Sequence, residues 1–267
     1  MKPIRTLIPA LLLAVCGAGP ARAALKSETV AYKQDTASLE GLLIYDTAGK
    51  KKKPGILLIP DWMGVSEQAR SYGEKVAKLG YVVLVADIYG AGIRPKDPTE
   101  AGTLAGIYRS DRPLLQARAR AGLDRLMQAA QVDTSRTAAM GYCFGGGAAL
   151  ELARSGANLD GVVSFHGNLN TPHPEQAKNI QGRVLVLHGA DDPHVPPEQV
   201  DAFTKEMREA KLDWTLVQYG GAVHSFTNPG AGTDPSRGNA YNAKADRRSW
   251  EAMEDFYEEI FPVKSPK

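Results

Sequence analysis

Cysteine is almost missing from this 267-residue chain, which has Cys16 near its start and Cys143 in its middle. That excludes a small disulfide-stapled scaffold. Long apolar runs are missing too. The run "LIPALLLAVCGA" is about 12 residues, short of the roughly 20 that cross a bilayer, and no later segment comes close, so no membrane insertion is expected. A surplus of one charge is also lacking: 32 basic and 30 acidic residues are interspersed and leave a formal charge of +2. This argues against a nucleic-acid surface, and the one basic run, Lys50 to Lys53, reads as a solvated turn before Pro54. No internal repeat, low-complexity tract or Pro/Gly/Ser linker divides the chain, so residues 24–267 are expected to form a single domain.

What is present begins with an export signal. Lys2 and Arg5 supply a positive start, the apolar run follows, and "ARA" at Ala21 to Ala23 is a small-x-small cleavage site. Residues 1–23 therefore read as a secretory signal peptide, and the protein is expected to be exported, periplasmic or secreted. A lipid anchor on Cys16 is the weaker reading, because Val15 stands where a small residue is expected. Cleavage leaves Cys143 without a partner in its own chain, in a compartment where idle thiols oxidise.

Six apolar runs bounded by turn residues read as strands: Gly55 to Pro60, Tyr81 to Tyr89, Thr137 to Cys143, Asp160 to Gly167, Arg183 to Gly189 and Trp214 to Tyr219. Continuous hydrophobicity without alternation marks strands buried on both faces. Helical stretches separate them: Ser66 caps one that runs to Leu79, Asp111 and Pro113 open another to about Ala130, and Gly145 to Arg154, Pro197 to Ala210 and Asp246 to Ile260 follow. "ETVAYK" and "LEGLLIYD" form a hairpin at one sheet edge. This order implies an α/β fold, a mostly parallel central sheet with helices on both faces, whose ligand crevice lies beyond the carboxyl ends of the strands.

Cys143 falls at such an end. "GYCFG" has the Gly-x-nucleophile-x-Gly spacing of a nucleophile elbow at a strand-to-helix junction, with the thiol exposed near the positive end of the helix dipole. A dinucleotide loop would need Gly-x-Gly, which "GYCFGG" lacks. A nucleophile needs a base, and the base needs an orienting acid. The elbow architecture expects both later in the chain, acid first, each in a loop after a strand. "RVLVLHGADDPHVP" supplies Asp191 and Asp192, between which strand rules do not decide. Of five histidines, His188 reads as a packed core residue and His173 as an exposed one. His194 follows the acid loop too closely to face the elbow. His166 would face the crevice and touch substrate. His224, in a glycine-rich turn after the last strand, is the expected general base. An oxyanion hole needs two backbone N–H groups, expected at Phe144 and, in the loop "IPDWMGVSEQ", at Trp62, whose ring would wall the acyl site.

On "GYCFGGG", "ADDPHVP" and "GGAVHSF", the chain resembles the dienelactone hydrolase family of the α/β-hydrolase fold over nearly all of residues 24–267. The resemblance implies a Cys-Asp-His triad in that chain order, carried by Cys143, Asp192 and His224. Family members place an acidic residue, usually Glu, before the oxyanion-hole residue to help activate the cysteine; this chain has Asp61, one methylene shorter. They also hold the substrate carboxylate with two arginines, whose matching positions here are Ala91 and Asn228. Arg94 stands three residues along. Tyr89, Arg94, His166 and Phe226 are the expected substrate contacts. The loops Gly90 to Tyr108 and Asn228 to Asn242 are expected to line the pocket, the second as a mobile rim.

The expected function is cysteine-dependent hydrolysis of a small-molecule ester or lactone, with no cofactor and no metal, since no Cys, His or Asp cluster has short ligand spacing. Two alternatives stand beside it: a promiscuous arylesterase or phosphotriesterase, and a non-catalytic small-molecule-binding protein.

Overall fold

The computed structural model describes residues 24–49 and 51–262; the expected signal peptide lies outside them. Among these described residues, eight strands form one sheet in the order β1-β2-β4-β3-β5-β6-β7-β8. The edge hairpin is as expected: β1 (Leu25–Gln34) pairs antiparallel with β2 (Ala37–Asp46), and β2 antiparallel with β4 (Val82–Val85). The remaining strands, β3 (Lys53–Ile59), β5 (Val132–Tyr142), β6 (Gly161–Phe165), β7 (Arg183–Gly189) and β8 (Trp214–Tyr219), are parallel to their neighbours. Their apolar runs serve two cores, because successive side chains leave opposite faces. Leu57, Leu84, Ala139, Val162 and Val186 face one core, and Ile56, Val83, Met140, Val163 and Leu187 the other.

The first core is covered by α3 (Arg112–Met127), α4 (Phe144–Arg154) and α5 (Pro197–Glu209), the second by α1 (Glu67–Lys78) and α6 (Ala243–Ile260). The α1 cap is Ser66, whose hydroxyl accepts from the Ala69 N–H at 3.2 Å. Numbered in chain order, the remaining helix is α2 (Pro98–Ser110), in the segment read from sequence as a pocket loop. Asp97 caps it by accepting from the Thr99 and Glu100 N–H groups, and Pro98 sits in its first turn. Gly102 and Gly106 weaken the helical pattern that these signals announce.

The strand expected over Tyr81 to Tyr89 is shorter. It stops at Val85 because the Asp87 carboxylate draws the Tyr89 and Gly90 N–H groups into a turn and takes the Glu40 N–H from β2. That turn throws the following chain outward toward α2.

Candidate active site

Cys143 stands between β5 and α4 with φ 54° and ψ −118°, a backbone that L-residues adopt only under strain. Its N–H is anchored to the Phe165 carbonyl at 2.9 Å. The two flanking glycines are demanded by contact rather than by dihedral freedom. A Cβ on Gly141 would lie 2.1 Å from the Gly145 carbonyl oxygen, and one on Gly145 2.0 Å from that of Ile59. Strand and helix thus close on each other with no room for a methyl group, and the bend holds the sulfur at their junction.

His224 follows β8, and its backbone is pinned by N–H donation to Gly238 O at 3.2 Å and by accepting the Ala240 N–H at 3.1 Å. Its Nε2 lies 3.0 Å from Cys143 Sγ, and its Nδ1 lies 2.8 Å from Asp192 Oδ2. The second Asp192 oxygen accepts the His194 N–H at 2.8 Å. Asp191 is turned outward and accepts the Gly221 N–H at 2.9 Å, closing the turn. Burial alone pushes His224 down, but the Cys143 charge and the hydrogen bonds to Asp192 and Cys143 outweigh it and raise its pKa to about 10.

Among the described residues, neither the Trp62 N–H nor the Phe144 N–H is taken up by another acceptor. Tyr89, expected to touch substrate, instead lies beneath this loop: its hydroxyl donates to the Trp62 carbonyl at 2.8 Å and its ring packs against Phe144. Tyr89→Phe is therefore expected to lower unfolding stability by about 1 kcal/mol, the net value of one hydrogen bond, in urea denaturation.

Three further expectations are corrected. Arg94 lies away from the site, its guanidinium donating to the Ile93, Gly90 and Glu40 carbonyls and so fastening its own loop to β2. Phe226 is fully buried against Tyr219 and His166, in the core on the α6 side. His166 is also buried. Its Nε2 is 2.8 Å from Thr227 Oγ1, its ring stands edge-on behind His224 at 5.2 Å, and burial pushes its pKa well down. One Asp61 carboxylate oxygen accepts the Met63 N–H at 2.8 Å, and burial raises its pKa; among the described residues, His224 is the sulfur's hydrogen-bond partner.

A cavity of about 500 Å³ opens over Cys143, lined also by Trp62, His224 and Ser225. His194, set aside on sequence grounds, lines it as well, because its loop folds back until its ring is 5.1 Å from that of His224. Arg109, Arg112, Asn168, Asn170 and Asn239 also line the cavity, and no motif in the sequence marks them. The Asp97–Pro98 helix start is the signal that would have carried Arg109 to the α2–α3 junction. The expected mobile rim is tied down: the Tyr241 and Asn242 N–H groups donate to Gly232 O at 2.6 Å and Phe226 O at 3.0 Å. No helix among the described residues is long and apolar enough to cross a membrane.

The dienelactone hydrolase family model matches residues 39–261. A solved structure named m3DLH is similar at 41% identity and a TM-score of 0.86, over 89% of this chain and 99% of that one. A dienelactone hydrolase-like promiscuous phosphotriesterase from metagenomic libraries is similar at 38% identity and a TM-score of 0.84, over the same shares of the two chains. An uncharacterized protein of Caenorhabditis elegans is 39% identical over 152 residues, 55% of this chain and 94% of that one.

Proposed function

The chain belongs to the dienelactone hydrolase family, and from that premise we propose that it hydrolyses ester or lactone bonds of small molecules through an acyl-enzyme on Cys143. The observation that carries this reading is the hydrogen-bonded row from Cys143 Sγ through both His224 ring nitrogens to Asp192 Oδ2, opening into a cavity beside two unengaged amides. The raised His224 pKa keeps a proton on the imidazole beside the sulfur, with the buried Asp192 carboxylate holding the ring.

The sulfur lone pair forms a bond to the carbonyl carbon, and the C=O π electrons move to oxygen, where the Trp62 and Phe144 N–H groups receive the charge. Each donor in such a hole is worth about 3 kcal/mol in the transition state. Collapse breaks the bond to the leaving oxygen, which takes the His224 proton and departs as the alcohol. The now neutral imidazole takes a proton from water, and the water oxygen attacks the thioester. Loss of the carbon–sulfur bond then returns the thiolate and the acid. For a lactone, the leaving oxygen stays tethered to the released acid.

This reading is tested by rapid quenching during turnover of 4-nitrophenyl acetate. One acetyl group found on Cys143 is the expected result; steady turnover with the thiol never acylated would refute it. The pH profile is a second test. His224 is raised above its ordinary value, so its imidazolium survives through neutral pH and is lost as pH rises through about 10. kcat/KM is therefore expected to fall on an alkaline limb near pH 10. Asp192→Asn, which removes a cause of the raised value, should move that limb to lower pH.

Phosphotriester hydrolysis is a second reading, favoured by the 38% identical promiscuous phosphotriesterase. The same sulfur and amides would meet a phosphoryl centre, and release of 4-nitrophenol from a diethyl aryl phosphate tests it. Export is part of the proposal, resting on residues 1–23 as a signal peptide; cell fractionation decides it.

A further inference from the structure

One wall of the cavity carries more positive charge than the chemistry above uses. Arg109 and Arg112 both line it, and among the described residues no aspartate or glutamate does. Arg112 is 7% exposed, yet the one hydrogen bond it makes among the described residues is a long one, 3.4 Å to the Asn170 carbonyl, and its Nε has no partner. The nearby Glu151 does not engage it by hydrogen bond: one of its oxygens accepts from Arg154 at 3.0 Å and the other from Gln116 at 3.0 Å. Both Glu206 oxygens are likewise held by Arg154. Arg109 Nε is also buried without a partner, and its guanidinium carbon lies 5.7 Å from the ring centroid of Phe144, the residue after the nucleophile.

A buried guanidinium left with a single long bond is costly unless an anion completes it. With the half-buried Arg109 on the same wall, beside Asn168 and Asn170, it offers a carboxylate or phosphate more donors than a neutral acyl chain could use. These groups come from the α2–α3 junction and the loop after β6. Ala91 and Asn228, where the family's arginines would stand, are elsewhere in the chain.

We infer that Arg109 and Arg112 form an oxyanion-binding subsite, so that the enzyme selects esters bearing a carboxylate or phosphate group remote from the scissile carbonyl. The selection of esters rests on the proposed hydrolase reading; the subsite itself stands on the cavity wall.

The test pairs mono(4-nitrophenyl) glutarate with the neutral 4-nitrophenyl pentanoate, and measures competition by glutarate and by inorganic phosphate. The wild-type protein should prefer the glutarate hemi-ester in kcat/KM by about 10- to 100-fold, mainly through KM. In Arg109→Gln and Arg112→Gln that ratio should fall toward unity, and inhibition by glutarate should weaken about tenfold or more. Stronger inhibition by glutarate than by phosphate identifies a carboxylate site, and the reverse a phosphate site. If Arg112→Gln does not fold, the wild-type protein still decides, since rising NaCl should weaken anion inhibition and leave the neutral ester far less affected. Brisk hydrolysis of both esters with no preference and no anion inhibition would overturn the subsite and leave the hydrolase standing. Glutarate or phosphate binding by calorimetry, lost in the arginine variants, in a protein that turns over neither ester would uphold the subsite and remove the hydrolase.

Discussion

Cys143→Ala is expected to lower kcat/KM for a short-chain aryl ester at least about 1000-fold while leaving the fold intact. In the proposed mechanism the sulfur supplies the electron pair that forms the acyl bond, and no other nucleophile in the row can replace it: the Asp192 oxygens are spent on His224 and the His194 N–H. A methyl group fits where the thiol stands, because the elbow is built by Gly141 and Gly145 rather than by the side chain between them. The residue of activity should reflect the oxyanion amides and substrate binding alone. Cys143→Ser should also be strongly impaired, since an alcohol does not share its proton with His224 as a thiol does. Retention of more than a tenth of wild-type turnover in Cys143→Ala, with matching circular dichroism, would sink the covalent mechanism.

Replacing Arg154 with Met is expected to cost about 3–5 kcal/mol of unfolding stability, read in urea denaturation. Arg154 is 1% exposed and holds Glu206 through Nε at 2.7 Å and Nη2 at 2.9 Å, Glu151 through Nη1 at 3.0 Å, and the Leu169 carbonyl at 3.3 Å. Its removal strands two buried carboxylates, which is where the cost arises. Changing Glu151 and Glu206 to apolar residues together with Arg154 should recover much of the loss, because the ion group as a whole offsets its desolvation only narrowly. The Leu169 bond gives the substitution a functional effect as well. Leu169 lies between Asn168 and Asn170 on the cavity wall, so a rise in KM should accompany the destabilisation. A loss below about 1 kcal/mol would show that the carboxylates find other partners.

The parts of the fold and site that were legible in sequence are those set by local rules. The Gly-x-Cys-x-Gly spacing reports a strand and helix in contact, and the structure answers with two glycines that cannot carry a methyl group. Apolar runs report the strands, and the order acid then histidine reports which strand ends meet the elbow. The Asp191 and Asp192 ambiguity could not be resolved that way. Both lie in one turn, and the difference is that one carboxylate closes the turn on Gly221 while the other points inward to His224.

The cavity wall was illegible in the sequence for a different reason. Arg94 looked close to the site along the chain, but the Asp87 turn and three carbonyl contacts direct it to β2. His166 directly follows β6 and Phe226 lies in the loop after β8, yet the packing of His166 behind His224 and of Phe226 against His166 turns both rings into the interior. The Arg109–Arg112 pair, Asn168, His194 and Asn239 come from four separate segments, and only the crossovers and helix packing bring them around one cavity. Sequence by itself determined the elbow, the strand order of acid and base, and the class of fold, because each depends on backbone sterics and hydrophobic runs that act over a few residues. Tertiary structure alone decided what surrounds the Cys143 sulfur, because side-chain direction at a cavity is set by contacts between residues far apart in the chain.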